Sequence, residues 1–177
     1  MPKNNSKLLM VCTPWNEQKT DYLFAFLVLL FLGLIYRNIL HFGFVWDDIF
    51  LISKNPHLQQ PIVWKDVFLA PFWKFSSSYN SCLVYYRPLV KLLTIFQYRI
   101  FGLNAGGYHL FNLCLHIGNV ALVWYLLRKF DLDRRSTYFG VFLFAFHPVT
   151  IPTICYISSV GDLLAVFFML LSLVFWN

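Results

Sequence analysis

Charged residues are scarce in this chain of 177 residues. Asp, Glu, Lys and Arg together make up 12% of it, against about 25% in ordinary soluble domains. Hydrophobic residues make up 59%, and the mean hydropathy is +0.60. The sequence also has no internal repeat and no low-complexity segment. This composition excludes an ordinary soluble globular domain and predicts an integral membrane protein.

Patterns that hold metals or form disulfides are missing as well. The four cysteines have neither CxxC spacing nor the Cys/His spacing of a zinc site: Cys12, Cys82, Cys114 and Cys155. His109 and His116 would lie about 10 Å apart along a helix, which is too far for two ligands of one ion. We therefore expect no disulfide, no metal site and no cofactor.

The positive charge of the chain is not gathered in one place. The net charge is +6 at pH 7, and the basic residues are scattered among apolar stretches. A nucleic-acid-binding protein would be expected to collect them in one solvated patch. The scattered pattern favours anionic lipid or a phosphate-bearing substrate, and we expect no nucleic-acid partner.

Apolar runs predict about four membrane helices, the last of them incomplete. A spanning helix needs about 20 residues, and prolines near His147-Pro148 should break the third span. From 162 to 177 a helix reaches only about 24 Å, so we expect an amino-terminal fragment of a longer chain. The predicted layout is a cytosolic tail at 1–21, spans at 22–40, 107–127, 136–157 and 162–177, an outer loop at 41–106, and a basic inner loop at 128–135.

The segment 87–101 is predicted to lie flat on the membrane rather than to cross it. Its polar residues recur at helical spacing on one face: Arg87, Lys91, Thr94, Gln97 and Tyr98. A segment that does not cross also leaves both the basic N-terminus and the basic loop in the cytosol, as the positive-inside rule prefers. The expected fold is an all-α, multi-pass integral membrane protein of the bacterial inner membrane or the endoplasmic reticulum.

Two adjacent carboxylates, Asp47 and Asp48, follow shortly after the first predicted span. Charge placed so close to the hydrocarbon boundary is costly, and it indicates a functional site. The alternative is a structural pair that caps a helix or orders the loop.

A series of short motifs resembles a known family. The motifs are Phe-Val-Trp-Asp-Asp at 44–48, Asn-Pro at 55–56, Tyr-Arg-Pro-Leu at 86–89, Gly-Tyr-His-Leu-Phe-Asn at 107–112, Leu-His at 115–116, Phe-His-Pro at 146–148 and Asp-Leu-Leu at 162–164. In order and spacing they resemble the amino-terminal part of the protein O-mannosyltransferase-like GT-C glycosyltransferases. The resemblance is greatest to the transmembrane and tetratricopeptide-repeat proteins and their bacterial relatives.

The resemblance implies an enzyme that moves a sugar from a polyprenyl-phosphate carrier to a hydroxyl acceptor, such as a protein Ser or Thr, on the outer or lumenal face. In this family an acidic residue of the first outer loop takes the acceptor proton, and the matching position here is Asp47 or Asp48. A hydroxyl is a poor nucleophile until a positioned base accepts its proton, so the residue type suits the task.

Three basic side chains are candidates for the carrier phosphate or for shaping the site. Arg87 and Lys91 lie one helical turn apart on the polar face of the flat helix and could bind a lipid phosphate. The alternative is ordinary contact with anionic headgroups. His147 precedes the proline that should break the third span, where it could line a cavity or serve only a structural purpose.

The His/Asn stripe, which consists of His109, Asn112, His116 and Asn119, falls on one face of the second predicted span. Such stripes more often join helices through hydrogen bonds than catalyse reactions, so we predict a packing role.

Two departures from the family leave a non-enzymatic alternative open. Pro152 stands where relatives carry an acidic residue, and Val160 and Gly161 stand where they tend to have a basic one. The alternative is a small membrane subunit, or an inactive truncated relative that associates with another membrane chain. We expect the 177-residue chain to have no glycosyl transfer of its own, because the remaining walls of the cavity would be missing.

Overall fold

The computed structural model describes residues 15–72 and 85–176, so that Cys12, Cys82 and most of the predicted tail lie outside it. Within these two ranges the chain is helical and contains no β-strand, which confirms the predicted all-α class. Short 3-10 turns occupy Arg37–His41 and Ile157–Ser159, and a π-helical turn occupies Ile49–Ser53. The α-helices are α1 (Trp15–Tyr36), α2 (Pro56–Gln59), α3 (Trp64–Leu69), α4 (Pro88–Phe101), α5 (Ala105–Lys129), α6 (Arg134–Phe146), α7 (Thr150–Cys155) and α8 (Val160–Phe175).

Local sequence signals set where several helices begin. Asn104 caps α5, because its side-chain oxygen accepts the N–H of Gly106 at 3.1 Å. Asp133 caps α6 by accepting the N–H groups of Arg135 and Ser136 at 3.0 and 3.2 Å. Helix α4 has Pro88 in its first turn, where the missing proline N–H costs no helical hydrogen bond.

Three of the described helical segments are long and apolar enough to cross a membrane: Gln18–His41, Ala105–Lys129 and Ile157–Phe175. They confirm the prediction of a membrane protein. The last segment begins earlier in the sequence than the span predicted at 162–177. Helix α8 begins at Val160 and continues directly from the 3-10 turn, so the segment has 19 residues. At about 1.5 Å per residue it reaches about 28 Å, close to the thickness of the hydrocarbon core.

The third predicted span, 136–157, consists of the two pieces α6 and α7, which are interrupted at His147-Pro148. His147 is extended, as a residue before proline tends to be. The backbone oxygen of His147 still has hydrogen-bond donors at this interruption, because it accepts from the N–H and the hydroxyl of Thr150 at 3.0 and 2.7 Å.

Contacts between the helices fix their relative directions. Asn112 bonds the backbone oxygen of Tyr156, and Lys129 bonds that of Val174, so α5 and α8 run parallel. Trp124 of α5 contacts Tyr138 of α6, and His116 contacts Ala145, so these two helices run antiparallel.

The helix directions give the bundle two chemically different ends. The start of α6 meets the start of α1 through an ion pair between Arg134 and Asp21, 3.5 Å apart. We call this end, with the basic loop 128–135, the basic end. The opposite end, which we call the loop end, carries the described parts of 42–104 together with the turn at 156–161.

Most of the apolar core at the loop end lies between the outer segments and α4. Val67, Val90 and Ile157 are buried together there, in a cluster separate from the one that joins α1, α5 and α6. This packing holds the acidic motif and the start of α8 against each other.

Candidate functional site around the acidic pair

The segment that carries the acidic pair is a tight turn closed by one of its own carboxylates. The N–H of Asp48 donates to the backbone oxygen of Val45 at 3.0 Å. In return the N–H of Val45 donates to Oδ2 of Asp48 at 3.4 Å. These reciprocal bonds hold residues 45–48 in one conformation.

Asp48 is the anchor of this turn. It has no exposed surface, and its Oδ1 accepts the N–H of Ser158 at 2.8 Å. Burial raises the pKa of the Asp48 carboxyl above its ordinary value, while the hydrogen bond from Ser158 partly opposes the rise. Asp48 therefore joins the acidic motif to the turn before α8 and is out of reach of a substrate.

Asp47 is the exposed member of the pair. Residues 47 and 48 have helical backbone, and consecutive helical residues point in different directions, so Asp47 remains at the surface while Asp48 enters the core. The structure thus separates two carboxylates that the sequence left equivalent, and only Asp47 can contact a bound molecule directly.

Trp46 precedes the pair in a backbone conformation that bulky residues rarely adopt. Its φ is +50°, in the left-handed region, which costs an L-residue about 1–2 kcal/mol. Its ring is 77% exposed and lies 6.3 Å, centroid to centroid, from the ring of Tyr156. Strain of this kind persists only where neighbouring structure imposes it, and it is common at functional sites.

Arg87 reaches the same turn from the start of α4. A β-carbon built on Gly161 would lie 4.0 Å from Nη1 of Arg87, so the guanidinium group is next to the first turn of α8. Its Cζ also lies 5.3 Å from the ring centre of Tyr85 and 5.9 Å from that of Phe72. The short segment 156–161 thereby brings together Asp48, Trp46 and Arg87, which come from two distant parts of the sequence.

An open cavity of about 390 Å³ lies beside Arg87, between the starts of α4 and α8. Its polar wall carries Arg87 and Asp162, and its apolar wall includes Leu164 and Phe168. A cavity with a charged mouth and an apolar body suits an amphiphile with a polar head.

Lys91 is buried, although its place on the polar face of the helix predicted contact with a lipid phosphate or with headgroups. It has no exposed surface, and its Nζ donates to the backbone oxygens of Asp66, Val67 and Ala70 at 3.1, 2.9 and 2.5 Å. The helix macrodipole explains the arrangement, since a cation is favoured at the carbonyl-rich end of a helix, here α3. Burial lowers the pKa of Lys91. Its side chain supports the loop end from inside rather than facing headgroups.

His147 does not line the cavity beside Arg87. It is exposed and lines a separate, open and largely apolar cavity of about 470 Å³, with Val123 and Leu127 of α5 among its other walls. The interrupted helix is therefore next to a cavity, but not the one beside Arg87.

The His/Asn stripe makes the contacts expected of a packing surface. All four of its side chains are buried, and three of them bond backbone oxygens of other elements. Neither ring nitrogen of His109 has a hydrogen-bond partner of ordinary geometry among the described residues, although the backbone of Phe42 lies close to the ring. Asn112 also positions the site, because it holds the backbone oxygen of Tyr156 at 2.9 Å.

Sequence reasoning missed Tyr156 and Ser158. They are an ordinary aromatic residue and an ordinary hydroxyl residue in a turn, and what they contribute is a ring contact and a backbone N–H. The only signal was their position between the helix break and the Asp-Leu-Leu motif.

Comparison with known proteins identifies relatives of this chain. It is 32% identical to Protein O-mannosyl-transferase TMTC2 of Mus musculus over 143 residues, which are 80% of this chain and 17% of the relative. It is 31% identical to Protein O-mannosyl-transferase TMTC3 of Homo sapiens over 135 residues, or 76% of this chain and 15% of the relative. Protein O-mannosyl-transferase F38B6.6 of Caenorhabditis elegans is 28% identical over 168 residues, or 92% and 24%.

The relatives confirm the resemblance that the motifs indicated. The matched region spans less than a fifth of the length of the first two relatives, at 17% and 15%. No protein-family model matches the chain, and no solved structure does.

Proposed function

Because this chain is related over most of its length to protein O-mannosyl-transferases, we propose that it forms the acceptor-activating part of a glycosyltransferase that uses a polyprenyl-phosphate-linked sugar. The acceptor is a hydroxyl group, in the first instance that of a protein Ser or Thr. The observation that carries the proposal is the exposed carboxylate of Asp47 on a turn that the buried Asp48 fixes to the start of α8.

Asp47 is the general base of this proposal. It takes the proton of the acceptor hydroxyl as the oxygen forms its bond to the anomeric carbon of the sugar, while the carrier phosphate leaves. A base held in the right position contributes about 10²- to 10⁴-fold to such a step. Asp48 acts as a positioning residue, because its bonds to Val45 and Ser158 determine where the Asp47 carboxylate lies.

Arg87 is the proposed ligand of the donor phosphate. It lies at the charged mouth of the cavity beside α8, and the apolar wall below it suits the first part of a polyprenyl chain. A guanidinium group can hold two phosphate oxygens at once and stabilise the charge that develops as the phosphate leaves. Lys91 contributes indirectly, by holding α3 against α4.

The loop end is the proposed outer or lumenal face, and the basic end the proposed cytosolic face. The cluster of Arg128, Lys129, Arg134 and Arg135 at the basic end favours this orientation, because cytosolic loops carry the excess of basic residues. With α6 and α7 together as one interrupted crossing, the bundle is a multi-pass protein with a cytosolic N-terminus.

The test is transfer of a hexose from a polyprenyl-phosphate donor to a Thr-containing peptide by the longest natural form of the protein. We expect Asp47→Asn to reduce turnover by about 10²-fold or more, because an amide cannot accept the proton. Asp131→Asn is the matched control, since Asp131 is also exposed but lies at the basic end. Absence of transfer in the wild type, or equal turnover in both variants, would contradict the proposal.

A further inference from the structure

Two aromatic rings lie beside the acidic pair, and we call them the aromatic pair: Trp46, which is exposed, and Tyr156, which is half-buried. The ring of Trp46 is 77% exposed and lies 6.3 Å from that of Tyr156, at an angle of 50°.

Hydrogen bonds fix the backbone on both sides of this surface. The backbone oxygen of Tyr156 accepts the side-chain N–H of Asn112 at 2.9 Å, and its N–H donates to the backbone oxygen of Pro152 at 2.9 Å. On the other side, the backbone oxygen of Trp46 accepts the N–H of Ile49 at 3.2 Å. The bond from Ser158 to Asp48 joins the two segments. The backbone that carries the two rings is therefore held in one conformation, as recognition surfaces require.

From this arrangement we propose that the aromatic pair is the subsite that binds the polypeptide next to the acceptor hydroxyl. The inference rests on the proposed function, because it takes Asp47 as the base that meets that hydroxyl. Trp46 immediately precedes Asp47, and both side chains are exposed. In this proposal a peptide lying against the ring of Trp46 presents its hydroxyl residue to the carboxylate of Asp47. Trp and Tyr dominate protein recognition, since they offer large and rigid contact area at low entropic cost.

Membrane anchoring is the rival role for exposed aromatic residues near an interface. An anchor needs no particular backbone conformation, and Trp64 serves for comparison. Trp64 is 59% exposed at the start of α3, in an ordinary helical conformation, with its ring 6.5 Å from that of Phe68. Trp46 differs from Trp64 in its left-handed backbone and in the hydrogen bonds that hold its segment, and both features favour recognition over anchoring.

The experiment measures equilibrium binding of a fluorescent peptide to the full chain in lipid nanodiscs. The probe is an extended peptide of about ten residues with one central threonine. We expect Trp46→Ala and Tyr156→Ala each to weaken binding about tenfold, and Trp46→Phe to weaken it by less than about threefold, because part of the aromatic contact survives. Trp64→Ala is the matched control and should leave binding unchanged.

Three outcomes would overturn the inference. They are no detectable binding by the wild type at millimolar peptide, unchanged binding by Trp46→Ala, and equal losses in Trp46→Ala and Trp64→Ala, which would indicate membrane anchoring. The proposed function fails in a different way: peptide binding that depends on Trp46 persists, but no form of the protein transfers sugar. In an active longer form, Trp46→Ala should raise the KM for the peptide about tenfold and leave the KM for the donor unchanged.

Discussion

At the scale of single residues, the two neighbouring aspartates have opposite environments. Asp48 has no exposed surface and holds two backbone N–H groups, whereas Asp47 is exposed. Consecutive residues of a turn project in different directions, so one can enter the core while the next remains at the surface. Within this single sequence motif, Asp48 therefore has a structural role and Asp47 is the candidate for the chemistry.

Replacing the buried carboxylate should destabilise the loop end. Asp48→Ala leaves the N–H groups of Ser158 and Val45 without their acceptor, and a buried donor without a partner costs about 1–3 kcal/mol. We expect lower thermal stability in detergent by this amount, whereas Asp47→Ala should leave stability unchanged. Equal stability of both variants would show that Asp48 does not anchor the turn.

The pH dependence of stability follows from the raised pKa of Asp48. Because its pKa is higher in the folded state than in the unfolded state, the folded protein binds more protons than the unfolded chain at pH values between the two pKa values. The contribution of Asp48 is therefore largest below its ordinary pKa and is lost as pH rises through the raised value. The difference in unfolding free energy between wild type and Asp48→Ala should grow as the pH is lowered from 7 towards about 4.

At the scale of helices, the sequence predicted which elements exist better than which faces they bury. Capping residues such as Asn104 and Asp133, and the prolines at 88 and 148, are local signals, and the helices begin or end where those signals stand. The orientation of α4 depends on what packs against it. An amphipathic helix at an interface and one that buries its polar face against α3 have the same periodicity, so the sequence could not distinguish them.

Lys91 provides a test of that orientation. Lys91→Met keeps the length of the side chain but removes the Nζ donor from three carbonyl oxygens at the end of α3. We expect faster backbone hydrogen exchange across α3 with unchanged exchange in α5. Lys65→Met, at an exposed lysine of the same helix, is the control. Unchanged exchange in α3 would mean that Lys91 does not hold this helix in place.

At the scale of the whole molecule, the helix directions bring the polar and unusual residues to the loop end. Composition and the positive-inside rule predicted this segregation from the sequence alone. The joining of Asp48 to Ser158 could not be predicted, because it depends on a backbone N–H that is 110 residues away in the chain. Long-range bonds to backbone groups leave no mark in the pattern of side chains.

The orientation in the membrane can be measured with single cysteines in an otherwise cysteine-free protein. Gln60→Cys lies at the exposed loop end, and Ser136→Cys at the exposed basic end. An impermeant thiol reagent added to the outer or lumenal side should label Cys at 60 and leave Cys at 136 unlabelled, because the basic end is cytosolic in our proposal. The reverse labelling would place Asp47 on the cytosolic face.

Chemical rescue tests the central claim, that Asp47 is the proton acceptor, more directly than any other measurement. In the longest natural form, Asp47→Ala should lose about 10²-fold or more in turnover, and added formate should restore part of it because a small carboxylate can occupy the exposed space and accept the proton. Asp48→Ala should not respond to formate, since its carboxylate is buried and structural. Full activity of Asp47→Ala, or rescue by formate of Asp48→Ala alone, would contradict the account.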